Sequence, residues 1–156
     1  MEFIDLRPQD RETFRHLAVE YYRDGEDAET PLDTITAFID SLFELAMTGT
    51  IGGFLAVEEA TAVGFALFGL DTADFPFSRM PGLGTILEIG LTPSHQGAGY
   101  GHKMVRFIEE HLGSLGAAQC YVSAYGPAQT FWARCGYEET GLTADNGLPI
   151  LIKNIG

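Results

Sequence analysis

A glycine-rich turn between an apolar run and a helical pattern is the feature that most limits how this chain can fold. The turn is formed by six residues, Gln96-Gly97-Ala98-Gly99-Tyr100-Gly101. The apolar run Thr85–Thr92 ends just before it at Pro93, and apolar side chains between positions 104 and 112 recur at helical spacing. The sequence therefore predicts a strand, a tight turn and a helix in succession.

Such a turn suits an anionic phosphate group. The N–H groups at the start of a helix have no partner within the helix, and the helix dipole adds positive partial charge there. Glycines let a phosphate approach the backbone without a Cβ in the way. The turn can therefore hold a pyrophosphate without lysines. Its spacing fits neither the P-loop nor the dinucleotide-binding fingerprint.

The rest of the chain alternates between helical and strand patterns. Helices are predicted over Asp10–Arg23, from a Thr30-capped start at Pro31 to just before Gly49, and over Pro127–Cys135. Strands are predicted at Met1–Arg7, Thr50–Glu58, Val63–Leu70, Thr85–Thr92, Gln119–Ala124, Tyr137–Gly141 and Ile150–Ile155. The order β-α-α-β-β-β-α-β-α-β-β predicts an α+β or mixed α/β fold, and we expect residues 1–156 to form one domain.

Composition and charge restrict the class of partner. Hydrophobic residues make up 46% of the chain and charged residues 20%, as in an ordinary globular protein. The formal net charge of −13 argues against nucleic acid or an anionic membrane as the main partner. Two cysteines are too few for a disulfide scaffold or a zinc ribbon, and we expect no metal. The early charges and the lack of a long apolar segment predict a cytoplasmic protein.

The glycine-rich turn resembles the acetyl-CoA signature of the GNAT superfamily of N-acetyltransferases, Gln/Arg-x-x-Gly-x-Gly/Ala. Leu91-Thr92-Pro93 is similar to the end of the family's fourth strand, and Ala128–Tyr137 is similar to its Ala-x-x-apolar-Tyr-x-x-x-Gly-Phe/Tyr segment. The order of elements fits the family along nearly the whole chain. The resemblance implies a GNAT-like acyl-CoA N-acyltransferase fold, with a mixed, mostly antiparallel sheet of about seven strands flanked by about four helices.

The resemblance also implies where acetyl-CoA would bind. Main-chain groups of Ile89, Gly90 and Leu91 would pair with the pantetheine arm, and the Leu91 N–H would point at the thioester carbonyl. The amides of Gln96–Gly101 would hold the pyrophosphate. Lys103 and Arg106 either reach a nucleotide phosphate or are solvated helix charges.

Glu88 is the candidate general base, because burial of a carboxylate on an apolar strand would raise its pKa. In the other interpretation Glu88 pairs with an arginine or caps a backbone group, and His95 is a second candidate base. The family's usual tyrosine acid falls on Trp132, which we count among the cofactor-binding residues. Tyr125 or water would then protonate the leaving thiolate.

The resemblance implies that the acceptor amine binds beside two loops. The first loop carries carboxylates and the second carries large apolar side chains; the residues are Asp24, Glu26, Asp27 and Glu29, and Phe75, Phe77 and Met80. Carboxylates beside aromatic rings suit an amine with an apolar or cationic body. The alternative is that the acidic loop is simply solvated.

The sequence thus predicts an acetyl-CoA-dependent N-acetyltransferase that transfers acetyl to a primary amine of a small molecule or peptide by direct attack. One alternative is a non-catalytic acyl-CoA-binding or sensor module, which Trp132 at the acid position favours. Another is a transferase for a longer acyl group or a hydroxyl acceptor. A homodimer could form through an exposed C-terminal strand, Ile150–Ile155.

Overall fold

The computed structural model describes residues 1–25 and 27–156, so Glu26 lies outside the described residues. The helices are α1 (Arg11–Arg23), α2 (Leu32–Met47), α3 (Tyr100–Ser114) and α4 (Gln129–Arg134). The strands are β1 (Glu2–Asp5), β2 (Gly52–Glu58), β3 (Thr61–Leu70), β4 (Gly84–Leu91), β5 (Gln119–Ser123), β6 (Glu138–Thr143) and β7 (Pro149–Asn154). The predicted order of helices and strands is confirmed.

The seven strands form one sheet in the order β1-β2-β3-β4-β5-β7-β6. β1 pairs antiparallel with β2, β4 is parallel to β5, and β7 is antiparallel to both β5 and β6. The predicted α+β class and mixed sheet are therefore confirmed. The chain divides into two compact units, the first formed by Met1–Leu67 with Glu88–Met104 and the second by Phe68–Leu87 with Val105–Gly156.

Aromatic rings form the centre of the first unit. The Phe14 ring of α1 lies 5.6 Å from Phe43 of α2 and 5.4 Å from Phe65 of β3, measured between ring centroids. All three side chains are buried. Burying a side chain of this size contributes about 1.5–3 kcal/mol, so this cluster holds both helices against the sheet.

The start of α2 differs from the prediction. The Thr30 hydroxyl does not cap the helix but lies 3.4 Å from Asp27 Oδ1. Pro31 occupies the cap position, and its carbonyl accepts the first helical hydrogen bond from the Ile35 N–H at 3.1 Å. The helix starts one residue later than the Thr30 cap requires, so the threonine side chain is left to order the preceding acidic loop.

A buried carboxylate organises the loop after β3 in the second unit. Asp71 Oδ2 accepts hydrogen bonds from the N–H groups of Arg79 and Met80, both at 2.9 Å, and from the Tyr121 hydroxyl at 2.7 Å. These bonds fold the loop inward, and Phe75 is buried directly against Gly69. The Phe75 ring therefore packs inside the second unit and offers little surface to an acceptor.

The C-terminal strand is not the exposed edge that a homodimer was expected to use. β7 lies between β5 and β6, with Cys120 opposite Lys153 and Glu139 opposite Leu151. Its hydrogen-bonding groups face neighbours on both sides, and Leu151 is buried. That part of the prediction is wrong, because β6 and not β7 forms the edge of the sheet on this side. Within the described ranges, no helix is long and apolar enough to cross a membrane.

Candidate active site

The glycine-rich turn needs glycine for its backbone conformation. Gly97 has φ of 79° and Gly99 has φ of 87°, in the left-handed region that other residues rarely adopt. A Cβ built on either residue would meet no atom within 4 Å. The space at both Cβ positions is therefore open, which is one requirement for the close approach of a phosphate to this backbone.

The turn delivers the backbone into the first turn of α3. The Lys103 N–H donates to the Gly99 carbonyl at 3.3 Å, so the helical hydrogen-bond ladder begins there. The N–H groups of Tyr100 and Gly101 precede that ladder and have no acceptor within the helix. They lie at the positive end of the helix dipole and are suited to bind a phosphate. Gln96 Nε2 donates to the Leu91 carbonyl at 3.0 Å and ties the turn to the end of β4.

A carboxylate from the end of β2 holds both ends of the turn. Glu58 Oε1 accepts a hydrogen bond from the Tyr100 hydroxyl at 3.3 Å, and Glu58 Oε2 lies 3.3 Å from His95 Nε2. The other ring nitrogen of His95 lies 2.9 Å from the Thr92 hydroxyl. The pKa of Tyr100 is raised, mainly by the negative charge of Glu58 and secondly by the hydrogen bond between the Tyr100 hydroxyl and Glu58. We call Glu58, His95 and Tyr100 the Glu58 cluster.

The segment of β4 predicted to pair with pantetheine is packed tightly at Gly90. A Cβ at this position would approach Phe65 Cε1 to 2.5 Å and Tyr21 Cδ1 to 2.9 Å. The two rings lie in the first unit with centroids 5.5 Å apart, and the Phe65 ring is buried. Gly90 is therefore required for space, while Ile89 and Leu91 on either side remain half-buried.

The candidate base Glu88 lies close to a hydroxyl that the sequence did not single out. Burial, and next the negative charge of Glu88, raises the pKa of Tyr22 well above its ordinary value. Tyr22 is only 5% exposed, and its hydroxyl has no hydrogen-bond partner within ordinary geometry among the described residues. Glu88 itself is half-buried. No local motif includes Tyr22, so the sequence carries no signal for it.

The candidate acid Tyr125 and the predicted cofactor-binding Trp132 belong to the second unit. Tyr125 is 37% exposed and directly precedes a 3-10 turn at Gly126–Ala128. Trp132 is buried, with its ring 5.2 Å from that of Tyr137. The two side chains thus differ in environment, since Tyr125 faces solvent and Trp132 is part of a packed aromatic pair.

Neither thiol has the character of a nucleophile. Burial raises the pKa of Cys120 to about 12 and the pKa of Cys135 to about 11. Both groups are therefore protonated near neutral pH, whereas a nucleophilic cysteine reacts as the thiolate.

Comparison with known proteins agrees with the fold. The sequence model of the Acetyltransferase (GNAT) family matches residues 11–137, so this chain belongs to the GNAT acetyltransferase family. The family resemblance expected from Gln96–Gly101 is thereby confirmed. No protein of curated function matches the sequence significantly.

Solved structures of the same fold cover almost the whole chain. PaiA N-acetyltransferase from Thermoplasma acidophilum, in complex with coenzyme A, has a TM-score of 0.75 at 16% identity over 98% of both chains. A GCN5-related N-acetyltransferase from Ralstonia eutropha has a TM-score of 0.75 at 23% identity, covering 92% of this chain and 96% of its own. Aminoglycoside acetyltransferase AAC(6')-Ib, also in complex with coenzyme A, has a TM-score of 0.73 at 16% identity, covering 97% and 93%.

Proposed function

We propose that this protein is an acetyl-CoA-dependent N-acetyltransferase that acetylates a primary amine by direct attack in a ternary complex. The observation that carries the proposal is the glycine-rich turn at the start of α3, whose left-handed glycines leave the backbone open. Membership of the GNAT family supports this proposal, and so does the coenzyme A bound in two structural neighbours.

The binding roles follow the backbone of the first unit. The amides of Gln96–Gly101 would hold the pyrophosphate, and the main chain of Ile89–Leu91 would bind the pantetheine arm. When bound, acetyl-CoA supplies the acetyl group as an activated thioester. Trp132 would contribute to cofactor binding from α4. We further propose that residues 1–156 act as one acetyltransferase domain.

Three chemical roles remain for this chain's own groups. Glu88 would take a proton from the acceptor, because an ammonium has no lone pair with which to attack. The Leu91 N–H would donate to the carbonyl oxygen as negative charge develops there. Tyr125 or water would protonate the departing thiolate. The raised pKa values of both cysteines favour direct attack over an acetyl-cysteine route.

The glycine-rich turn is tested by thermal unfolding with and without acetyl-CoA. A ligand that binds only the native state at a hundred times its Kd stabilises it by about 2.7 kcal/mol. We expect a rise in Tm for the natural protein and its loss in Gly99→Ala, where a Cβ enters the open space. Gly116→Ala is the matched control, because Gly116 has a φ of 98° and nothing within 4 Å of its Cβ position.

The outcomes separate ligand binding from backbone strain. Both variants force a side chain into the left-handed conformation, at about 1–2 kcal/mol each, so both should lower the Tm without ligand. Only Gly99→Ala should lose the acetyl-CoA shift. If the natural protein shows no shift with acetyl-CoA or a longer acyl-CoA, the proposed function is rejected.

A non-catalytic acyl-CoA-binding module is the second candidate, and the packed indole of Trp132 at the acid position is the observation that favours it. Release of free thiol from acetyl-CoA with an amine panel decides between the two. In an enzyme, Glu88→Gln should lower kcat by about 100-fold or more while sparing the acetyl-CoA shift. A binding module would show the same shift and no amine-dependent thiol release in any variant.

A further inference from the structure

The Tyr22 hydroxyl is a buried polar group without a partner in ordinary hydrogen-bond geometry. Tyr22 is 5% exposed as a residue, and its hydroxyl makes no hydrogen bond of ordinary geometry among the described residues, while a looser interaction with the Glu88 carboxylate contributes to its raised pKa. Leaving such a group unsatisfied is unfavourable, so buried hydroxyls normally find a partner. An unsatisfied hydroxyl beside the candidate base indicates that its partner comes with the substrate.

Two exposed rings flank the Tyr22 side chain. The Tyr21 ring lies 5.3 Å from it and the Phe38 ring of α2 lies 6.0 Å from it, both nearly perpendicular. Tyr21 is 36% exposed and Phe38 is 45% exposed. Exposed aromatic surface next to an unsatisfied hydroxyl is the arrangement expected for a ligand with one polar end and an apolar body.

The charge near Tyr22 is negative. The carboxylates of Glu88 and Asp27 both contribute to the raised pKa of Tyr22, after burial as the largest cause. The phenol is therefore a neutral hydroxyl that can accept an N–H bond. Negative charge attracts an ammonium and repels a carboxylate on the same ligand.

We propose that the Tyr22 hydroxyl accepts a hydrogen bond from the acceptor nitrogen, and that the rings of Tyr21 and Phe38 contact its carbon body. The acceptor is then a primary amine with an apolar body of about ring size and no carboxylate. This inference rests on the proposed function, since it names the substrate class for the same site. Tyr22 acts as a binding residue for the amine and Glu88 keeps the role of base.

The test compares three amines in the acetyl-transfer assay: 2-phenylethylamine, ethylamine, which lacks the ring, and phenylalanine, which adds a carboxylate. We expect 2-phenylethylamine to have a kcat/KM at least about tenfold above that of each other amine. Ethylamine loses the contact of the ring, and the carboxylate of phenylalanine is repelled by the negative charge of the site. Phe38→Ala should reduce the preference over ethylamine. Phe107→Ala, which removes another exposed ring on α3, should not change it.

Tyr22→Phe removes only the hydroxyl. We expect the KM for 2-phenylethylamine to rise about 3- to 10-fold with the KM for acetyl-CoA unchanged. The Tm should stay the same or rise, because no hydrogen bond of ordinary geometry is lost in the absence of substrate. A hydroxyl with a merely structural role would instead lower the Tm and leave the amine KM unchanged.

The failure of this inference is distinguishable from the failure of the proposed function. If all three amines are acetylated equally well, or Tyr22→Phe leaves the amine KM unchanged, the inference is overturned and the acetyltransferase stands. If no amine is acetylated, calorimetric titration of 2-phenylethylamine into the protein with coenzyme A gives the answer. Binding that weakens in Tyr22→Phe supports the inference without the enzyme, and absence of binding overturns it.

Discussion

Single glycines in this protein serve different physical needs that look the same in the sequence. Gly99 has a left-handed backbone with open space around it, so its conformation requires glycine. The backbone of Gly90 is not left-handed, but two aromatic rings occupy the space that a Cβ would need. A sequence pattern identifies the first kind through neighbouring turn residues. The second kind depends on Phe65 and Tyr21, which are distant in the chain.

We predict that Gly90→Ala destabilises the protein by about 1–3 kcal/mol, the usual cost of overpacking a filled core. The added methyl would lie 2.5 Å from Phe65 Cε1, and the buried Phe65 ring has little room to move. Urea denaturation measures the effect. Gly126→Ala is the control, because its Cβ would meet nothing within 4 Å, and it should change stability little. Equal stability of the two variants would contradict this account of Gly90.

At the scale of elements, the β2–β3 hairpin supports the glycine-rich turn. Glu59 and Ala60 form its two-residue connection, with φ of 50° and 65°, as a type I′ turn requires. This tight turn fixes the end of β2, from which Glu58 reaches His95 and Tyr100. The Glu58 cluster therefore anchors the residues on both sides of the turn to a rigid hairpin.

We predict that Glu58→Ala raises the KM for acetyl-CoA about 5- to 10-fold with kcat nearly unchanged. The substitution removes the contacts of Glu58 with His95 and Tyr100, so the turn is less ordered before acetyl-CoA binds. Ordering it on binding would reduce the binding free energy by about 1 kcal/mol or slightly more. Glu58→Gln keeps an acceptor for the Tyr100 hydroxyl but no charge for His95, so it should recover part of the affinity. Steady-state kinetics with varied acetyl-CoA measures both. A fall in kcat with KM unchanged would argue for a catalytic role instead.

At the scale of the whole molecule, pH acts on stability through a few buried groups within a strongly acidic chain. Burial would raise the pKa of Asp71, but hydrogen bonds from Ser78, from Tyr121 and from the N–H groups of Arg79 and Met80 outweigh it and lower the pKa. A carboxyl group whose pKa is lower in the folded state stabilises that state above its unfolded pKa. This stabilisation is lost as the pH falls through the folded pKa.

We predict that acidification below about pH 4 removes the contribution of Asp71 to the free energy of unfolding. Asp71→Asn should be less stable near neutral pH by about 2–3 kcal/mol, because charge-assisted hydrogen bonds are lost. Its stability should also fall less between neutral and acidic pH than that of the natural protein. Urea denaturation at several pH values measures the difference. Parallel pH profiles for the two proteins would show that Asp71 has no part in acid sensitivity.

The Tyr121 hydroxyl provides an internal control for this prediction. It donates to Asp71 at 2.7 Å, so Tyr121→Phe removes one of the bonds that lower the pKa of Asp71. The variant that combines Asp71→Asn with Tyr121→Phe should lose less stability than the sum of the losses in the two single variants, because both changes affect the same hydrogen bond.

Much of the fold was predictable because its signals are local. The order of helices and strands depends on periodicity within each segment, and the structure confirms it. The prediction that β7 lies at an exposed edge failed because its pairing with β5 and β6 is set by distant parts of the chain. The predicted Thr30 cap failed for a local reason, because α2 begins after Pro31 and the Thr30 hydroxyl lies near Asp27 instead.

The candidate site divides in the same way. The sequence alone predicted a phosphate-binding turn at Gln96–Gly101, because the spacing of glycines determines which backbone conformations are accessible. Only the tertiary structure brought Glu58 to that turn and Tyr22 to Glu88, across long stretches of chain. Backbone conformation is set largely by adjacent residues, whereas the environment of a side chain is set by whatever the fold packs against it.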